Sequence, residues 1–448
     1  MAPMVDPSRH GPVQALQVVS PWAHRGVRLG EWVRDRFWFI PLVLVLGGIV
    51  TAFVVAYPEI VGLPPEWGLG HQVRTSTADT MLGVMSSSML TFVGVVFAIT
   101  LVGLQLASSQ LSPRVIRTFV RSIVTKVAFG YFLATFAYAV TGLGIDEVTD
   151  PATASRTVIV SMGVLAVAVG VFVVYVTATM RLLEVGWVIT TVANEARAAI
   201  RRGYPPAEAY VATEPPVLVE HPHVVHLSSH DTRSYRHELG TVLAVDRAGL
   251  ARLAAEYDCV IEVLPRVGEY VVTGGAVLAV HGDRMPPERA LVRCVHLGRA
   301  RTLYQDPTFG IRQLVDVATQ ALSPAINQPT TAVLVIDRLH DLLLRIARLP
   351  APTGLHVDAG GAVRLVEPTD DWAYLLHLAF AEITALGSSS PHVTRRLVAA
   401  LEDLEADVPA EAAAEVARVR TALSDLLREH AASGFGRLAV TRDRLGLG

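Results

Sequence analysis

The sequence predicts an α-helical membrane protein with four transmembrane helices, plus a cytoplasmic α+β region. That region is expected to begin with a small β barrel-sandwich-like part and to end in a helical part. Three observations carry the prediction. Four uncharged apolar runs in the first half are each near the ~20 residues that cross a ~30 Å hydrocarbon core. Basic residues cluster on one side of those runs. The second half alternates short β-type stretches with longer helical patterns.

Composition sets the same bounds. The chain has 448 residues, 51% of them hydrophobic and only 18% charged. Mean hydropathy is +0.42, higher than a water-soluble domain of this size usually shows. The net charge of -3 gives no basic field for nucleic acid, so no nucleic-acid partner is expected. Cys259 and Cys294 are far apart and form no disulfide framework or zinc spacing.

The four runs are Phe37 to Tyr57, Met81 to Leu106, Val127 to Gly144 and Thr157 to Met180. The first begins too late and is too long for a cleavable signal, so it reads as an anchor. Arg25, Arg28, Arg34 and Arg36 precede it; Arg114, Arg117, Arg121 and Lys126 follow the second run; Arg181, Arg197, Arg201 and Arg202 follow the fourth. The other two loops are poor in basic residues, and "GIDEVTD" after the third run is acidic. Both termini are therefore expected in the cytoplasm. The expected organisation is a basic N-terminal segment, 1–36; a four-helix membrane domain with a helical extension, 37–204; a cytoplasmic α/β part, 205–295; and a cytoplasmic helical part, 296–448.

The second run, within "SSSMLTFVGVVFAITLVGLQLASSQLSPR", is unusual for a lipid-buried helix. At 100° per residue, Thr80, Gly83, Ser87, Thr91, Gly94, Ala98, Gln105 and Ser109 form one small and polar face, interrupted by Leu101. Met85, Met89, Phe92 and Val96 lie opposite. Small residues let membrane helices approach closely, and hydroxyls hydrogen-bond across them. The same face also suits a water-filled path built by several protomers, with Gln105 near its inner end. Ser112-Pro113 signals a new helix start. The short amphipathic helix expected there carries Arg114, Arg117 and Arg121, either as an anchor to anionic lipid or as a basic ring at an inner pore mouth.

Beyond Met180 the helix continues in a more polar form until "GYPP" at Gly203 to Pro206 stops it. "GTVLAVD" reads as a strand and "RAGLARLAAEYD" as a helix; two strands then surround Thr273-Gly274-Gly275. The "VGEYVVTGGAVLAV" pattern is similar to the turn of barrel-sandwich domains that carry biotin or lipoate. It has no lysine at its tip, so no cofactor is expected. Helices are expected over Pro287 to Leu303, Gly310 to Leu322, Thr330 to Ala347, Asp371 to Leu386, His392 to Ala406 and Ala410 to His430. "LHVDAGGAVRLV" reads as a hairpin turning at Gly360-Gly361.

"SMLTFVGVVFAITLVGLQLASSQLSPR" and "QDPTFGIRQLVDVATQALSPAINQPTTA" together resemble the bacterial membrane proteins grouped as the domain-of-unknown-function 2254 family. The resemblance runs from the first span to about residue 430. It implies a multi-span inner-membrane protein and supplies no catalytic residues. That family usually reads Asn-Asp-Pro where this chain has Asn327-Gln328-Pro329, so no acid or metal role carries over to position 328.

Two stretches of the polar half are candidate sites. In "ALSPAINQPTTA", two prolines in six residues fix a rigid connector, and Asn327 suits a turn. Asp306, Arg312 and Asp316 lie upstream. The stretch reads as a capped helix-to-helix corner or as a ligand pocket built on Asn327 and helix N-termini. In "EHPHVVHLSSHDTRSYRH", His221 and His223 would share a strand face, but zinc spacing is missing and no metal is expected. No phosphate loop, nucleophile elbow or carboxylate pair marks an enzyme. The expectation is a homo-oligomeric ion channel or transport protein, with lipid and a small ion as partners. A membrane-anchored sensor or enzyme and a non-conducting scaffold are the alternatives.

Overall fold

The computed structural model describes residues 13–15, 36–62, 74–110, 122–145, 151–204, 210–211, 216, 218–227, 240–298, 300–358 and 360–430. The chain divides into two compact units, Ser20–Trp187 and Met1–Val19 with Val188–Gly448.

Among the described residues the first unit contains four α-helices: α1 (Phe39–Ala56), α2 (Thr75–Gln110), α3 (Ile123–Leu143) and α4 (Pro151–Leu183). All four are long and apolar enough to cross a membrane. Each contains most or all of one apolar run; α2, α3 and α4 also take in charged residues beyond the runs, among them Asp79, Lys126 and Arg156. α3 is the central helix. Half of its apolar window is buried, against 17–22% for the other three, and it packs against all of them.

Local chemistry explains that packing. A Cβ at Gly48 of α1 would lie 2.9 Å from the Ala134 carbonyl carbon of α3 and closer still to its oxygen. A Cβ at Gly130 of α3 would lie 2.8 Å from Pro41 Cα of α1. The two glycines thus let the backbones meet, as small residues do between membrane helices. Further along, Phe92 stacks on Phe132 at 5.5 Å and meets Phe172 edge-on at 5.0 Å. Tyr175, fully buried, donates its hydroxyl proton to Val96 O at 2.9 Å and lies 2.8 Å from Thr100 Oγ1. Arg156, buried near the start of α4, donates from Nε to Val55 O at 3.2 Å. It thereby serves a carbonyl in the last turn of α1, where the helix leaves its acceptors unpaired.

The second unit takes in most of α5 (Val185–Gly203), which a break at Glu184 separates from α4. Seven strands form an open mixed sheet: β1 (Val13–Ala15), β2 (Tyr210–Val211), β3 (His223–His226), β5 (Val260–Val263), β6 (Ala276–His281), β8 (Leu355–Val357) and β9 (Val363–Val366), with β4 (Thr241–Val245) set apart from them. Their order is β2-β1-β8-β9-β5-β6-β3. β1 pairs with β8, and β5 with β9, in parallel; the other neighbours are antiparallel. β4 forms a separate antiparallel ribbon with β7 (Val295–Gly298). Helix α6 (Arg247–Glu256) is capped by Asp246, which accepts from Gly249 N at 3.0 Å. Its Leu250 and Ala254 share a core with Val242, Ile261, Leu278 and Leu297.

Helices α8 (Pro307–Ala321), α9 (Pro329–Ala347), α10 (Trp372–Gly387), α11 (Pro391–Asp407) and α12 (Ala410–His430) pack on one another. Their ends lie close to those expected from sequence, and the β8–β9 hairpin is also as expected. Asp358 Oδ1 fixes its turn by accepting from Gly360 N and Ala362 N, and Gly361 sits at φ +82°.

Three local expectations are corrected. Among the described residues the sheet is open and no barrel closes. The helix expected over Pro287 to Leu303 shrinks to α7 (Glu288–Arg293). Residues 295–298 instead become β7, because Val295 and Leu297 face the core at period 2 and pair with β4. The "VGEYVV" stretch forms only a single bridge, between Tyr270 and Thr241, and Tyr270 and Val272 are exposed.

Candidate functional site

Helix α2 presents two different faces. Leu82, Met85, Met89 and Val96 are buried among the neighbouring helices, and Phe92 is half-buried against them. On the other side Thr80, Ser87, Thr91, Gly94, Ala98 and Gln105 are exposed, and Gly83 is half-buried. A Cβ at Gly83 or Gly94 would meet nothing within 4 Å. The hydroxyls on this face bond to their own helix. Thr80 donates to Ser76 O at 2.7 Å, Ser87 to Val84 O at 3.0 Å and Thr91 to Ser87 O at 3.1 Å. Each hydroxyl proton is therefore already placed, while the oxygen keeps acceptor capacity toward whatever lies outside. Ser109 lies on α2, but its side chain is outside the described residues, as are Arg114, Arg117 and Arg121.

The corner candidates do not converge. Asp306 caps α8: it accepts from Phe309 N at 2.9 Å, from Thr308 Oγ1 at 2.6 Å and from Arg301 Nε at 2.8 Å. Arg312 and Asp316 form an i,i+4 pair at 2.9 Å, and Arg312 also pairs with Glu382 of α10. At 1.5 Å per residue, Asp316 lies roughly 15 Å along the helix from Asp306. Asn327 stands exposed between α8 and α9 at φ +48°, with its N–H donating to Ser323 O at 2.9 Å. Gln328 N donates back to Ala321 O at 2.7 Å and closes the turn.

His221 and His223 are both exposed, and His223 Nε2 lies 3.6 Å from Glu288 Oε1. Among the described residues no three His, Cys, Asp or Glu side chains group around a point where a metal would sit. Cys259 and Cys294 are buried; burial, reinforced by Asp246, pushes the Cys294 thiol up to about 12, so it stays protonated and unreactive.

A cleft of about 80 Å³ opens in the α/β unit, walled by Tyr204, Arg247, Arg266, Asp306, Glu367 and Asp370. Its charges are paired. Glu367 accepts from Arg247 Nε at 2.9 Å and lies 2.8 Å from His356 Nε2. Burial works against the Glu367 charge, but Arg247 and His356 outweigh it and hold the carboxyl at about 2. Arg266 NH1 donates to Asp370 at 2.8 Å. Burial pushes the Asp370 carboxyl up, Arg266 opposes this, and Asp306 adds to the rise. Gly268, at φ +93°, lies where a Cβ would come within 2.6 Å of Arg301 Nε, so the Arg301–Asp306 pair needs glycine there.

Residues 34–403 match a family model described as "Predicted membrane protein (DUF2254)". The chain belongs to the DUF2254 family. Two curated relatives of this DUF2254 member are the Uncharacterized protein Rv1290c of Mycobacterium tuberculosis and the Uncharacterized protein Mb1321c of Mycobacterium bovis. Each is 29% identical over 411 residues, covering 88% of this chain and 77% of the relative. No solved structure matches.

This DUF2254 protein is thus a membrane protein with four apolar helices. Its ion-pair cleft escaped the sequence reading because Arg247, Glu367 and His356 are separated by up to 120 residues. Only the alternation "LHVDAGGAVRLVE" hinted at it, since it puts His356 one residue from the turn-side strand end and Glu367 just past the other strand.

Proposed function

We propose that this DUF2254 protein is a homo-oligomeric channel or transport protein of the bacterial inner membrane, with both termini cytoplasmic. The α2 face of Thr80, Gly83, Ser87, Thr91, Gly94, Ala98 and Gln105 lines its pathway, and the α/β unit assembles and gates it. One observation carries the reading: α3 and α4 pack on α2 and bury its Leu82, Met85, Met89 and Val96, while its small and hydroxyl-bearing residues stay uncovered, next to the exposed Val84, Leu90, Phe97 and Leu101. A face meant only for lipid gains nothing from Gly83, Gly94 and three hydroxyls. A face that meets copies of itself around water uses both the small volume and the acceptor oxygens.

The test is reconstitution in liposomes with native mass measurement. The wild type should be an oligomer that passes a small ion. Thr91→Leu should block flux and leave assembly intact, because a bulky apolar side chain narrows and dries the path. If Thr91→Leu instead dissociates the oligomer, the face serves helix packing. A monomeric or non-conducting wild type refutes the proposal.

A further inference from the structure

The helix α11 places a cation where its pattern calls for an apolar residue. Val393, Leu397, Ala400 and Leu404 form its buried stripe, and Arg396 lies within that stripe at 7% exposure. The guanidinium reaches across to α9. Nε donates to Asp337 Oδ1 at 2.6 Å, and NH2 lies 3.3 Å from His340 Nδ1. Asp337 and His340 are three residues apart, so both face α11.

The geometry fixes the state of the histidine. A guanidinium has only donors, so His340 Nδ1 must present its lone pair to Arg396 and the ring proton must sit on Nε2. Nε2 is enclosed and has no protein acceptor among the described residues, and the same holds for Arg396 NH1. A second proton can enter only at Nδ1. There it abolishes the hydrogen bond to Arg396 and sets two cations side by side in a helix–helix contact.

We propose that His340 and Arg396 form an acid-released latch between α9 and α11. The latch does not depend on whether the membrane helices conduct. The charged groups acting on His340 are Asp337 and Asp341 from its own helix and Arg396 and Asp403 from α11. Asp337 is engaged by Arg396, and Asp341 is held by Arg197 of α5 at 2.8 Å and by Arg345 at 2.9 Å. On α8 and α10, which also pack on α9, Arg312, Asp316 and Glu382 pair with one another. Burial, then Arg396, holds the imidazole below its ordinary value against the pull of the three aspartates. A released state takes up the proton more readily than the latched one. The latch therefore holds fully above about pH 6.5 and weakens as pH falls below that value.

Release has a defined geometry. α9 is also clamped to α5, through Arg197–Asp341 and through Arg338 NH2 to Thr190 Oγ1 at 3.4 Å. Neither contact involves His340. Acidification of the compartment holding this unit thus frees α11 from α9 and leaves α9 fixed to the helix that follows α4 in the chain.

Hydrogen exchange on the full chain in nanodiscs tests this. After correction for the intrinsic pH dependence of exchange, backbone amides of residues 334–346 and 393–404 should open about ten-fold more at about pH 5.5 than at about pH 8, with α6 unchanged. His340→Asn keeps an acceptor near the Nδ1 position and cannot take the proton, so its α9 and α11 amides should be insensitive to the same change. Equal opening of the wild type at both pH values overturns the latch, whether or not the variant folds. Acid opening that persists in His340→Asn, or that sets in only near about pH 4 where aspartates titrate, also overturns it.

Discussion

Adjacent glycines in α1 give a sharp test of how the helical unit is packed. Gly48 faces α3 so closely that an added Cβ would sit 2.9 Å from the Ala134 carbonyl carbon and nearer still to its oxygen. Both are backbone atoms, so no side-chain rotation can relieve the clash. Ordinary contact distances are roughly 3.5–4.0 Å between carbons, so Gly48→Ala must push α1 and α3 apart by about an ångström or tilt one of them. Overpacking of this kind typically costs about 1–3 kcal/mol. At about 2–4 °C per kcal/mol for a unit of this size, the unfolding midpoint of the detergent-solubilised protein should fall by roughly 2–12 °C. Gly47, one residue earlier, has nothing within 4 Å of its Cβ position. Gly47→Ala adds the same methyl group with the same gain in helix propensity and no clash, so its midpoint should hold or rise. Light-scattering or intrinsic-fluorescence melts of the two variants beside wild type provide the measurement. Equal midpoints for the two variants would refute the α1–α3 packing, and with it the claim that the α2 face is what the protomer leaves open.

Two further outcomes follow from the α/β unit. Glu367→Gln removes the partner of the largely buried Arg247 and should cost about 3 kcal/mol, read as a lower midpoint for this unit in chemical denaturation of the full chain. Because the folded carboxyl is held at about 2, below its ordinary 4.5, its contribution is fully present above pH 4.5 and is lost as pH falls through about 2; the variant's deficit should shrink in that acid window. At the α8–α9 corner, Asn327→Ala should cost about 1 kcal/mol, since a left-handed backbone penalises Cβ without a compensating polar contact, whereas Asn327→Gly should cost little. Thermal melts that show Ala no worse than Gly would count against the turn as the reason for asparagine there.

The membrane helices were legible in sequence because their signal is local. An uncharged run near 20 residues has few stable states outside a bilayer, and the 100° spacing alone put Met85, Met89 and Val96 on one side of α2 and Thr91 and Gly94 on the other. The helices α8 to α12 were legible for the same reason: period, caps and prolines are written within each segment. Tertiary structure decided what depends on partners distant in the chain. It turned Val295 to Gly298 from helix into strand, because pairing with Thr241 to Val245 buries Val295 and Leu297 where a helix would have carried Leu297 away from that core. It set the Arg312–Asp316 pair apart from Asp306 and Asn327, which share its sequence neighbourhood but lie at the start of the helix and past its end. It also joined Arg247 to Glu367 and Arg396 to His340, pairs that no periodicity announces. A charge can be buried only where an opposite charge or an acceptor arrives from another element, and which element arrives is settled by packing.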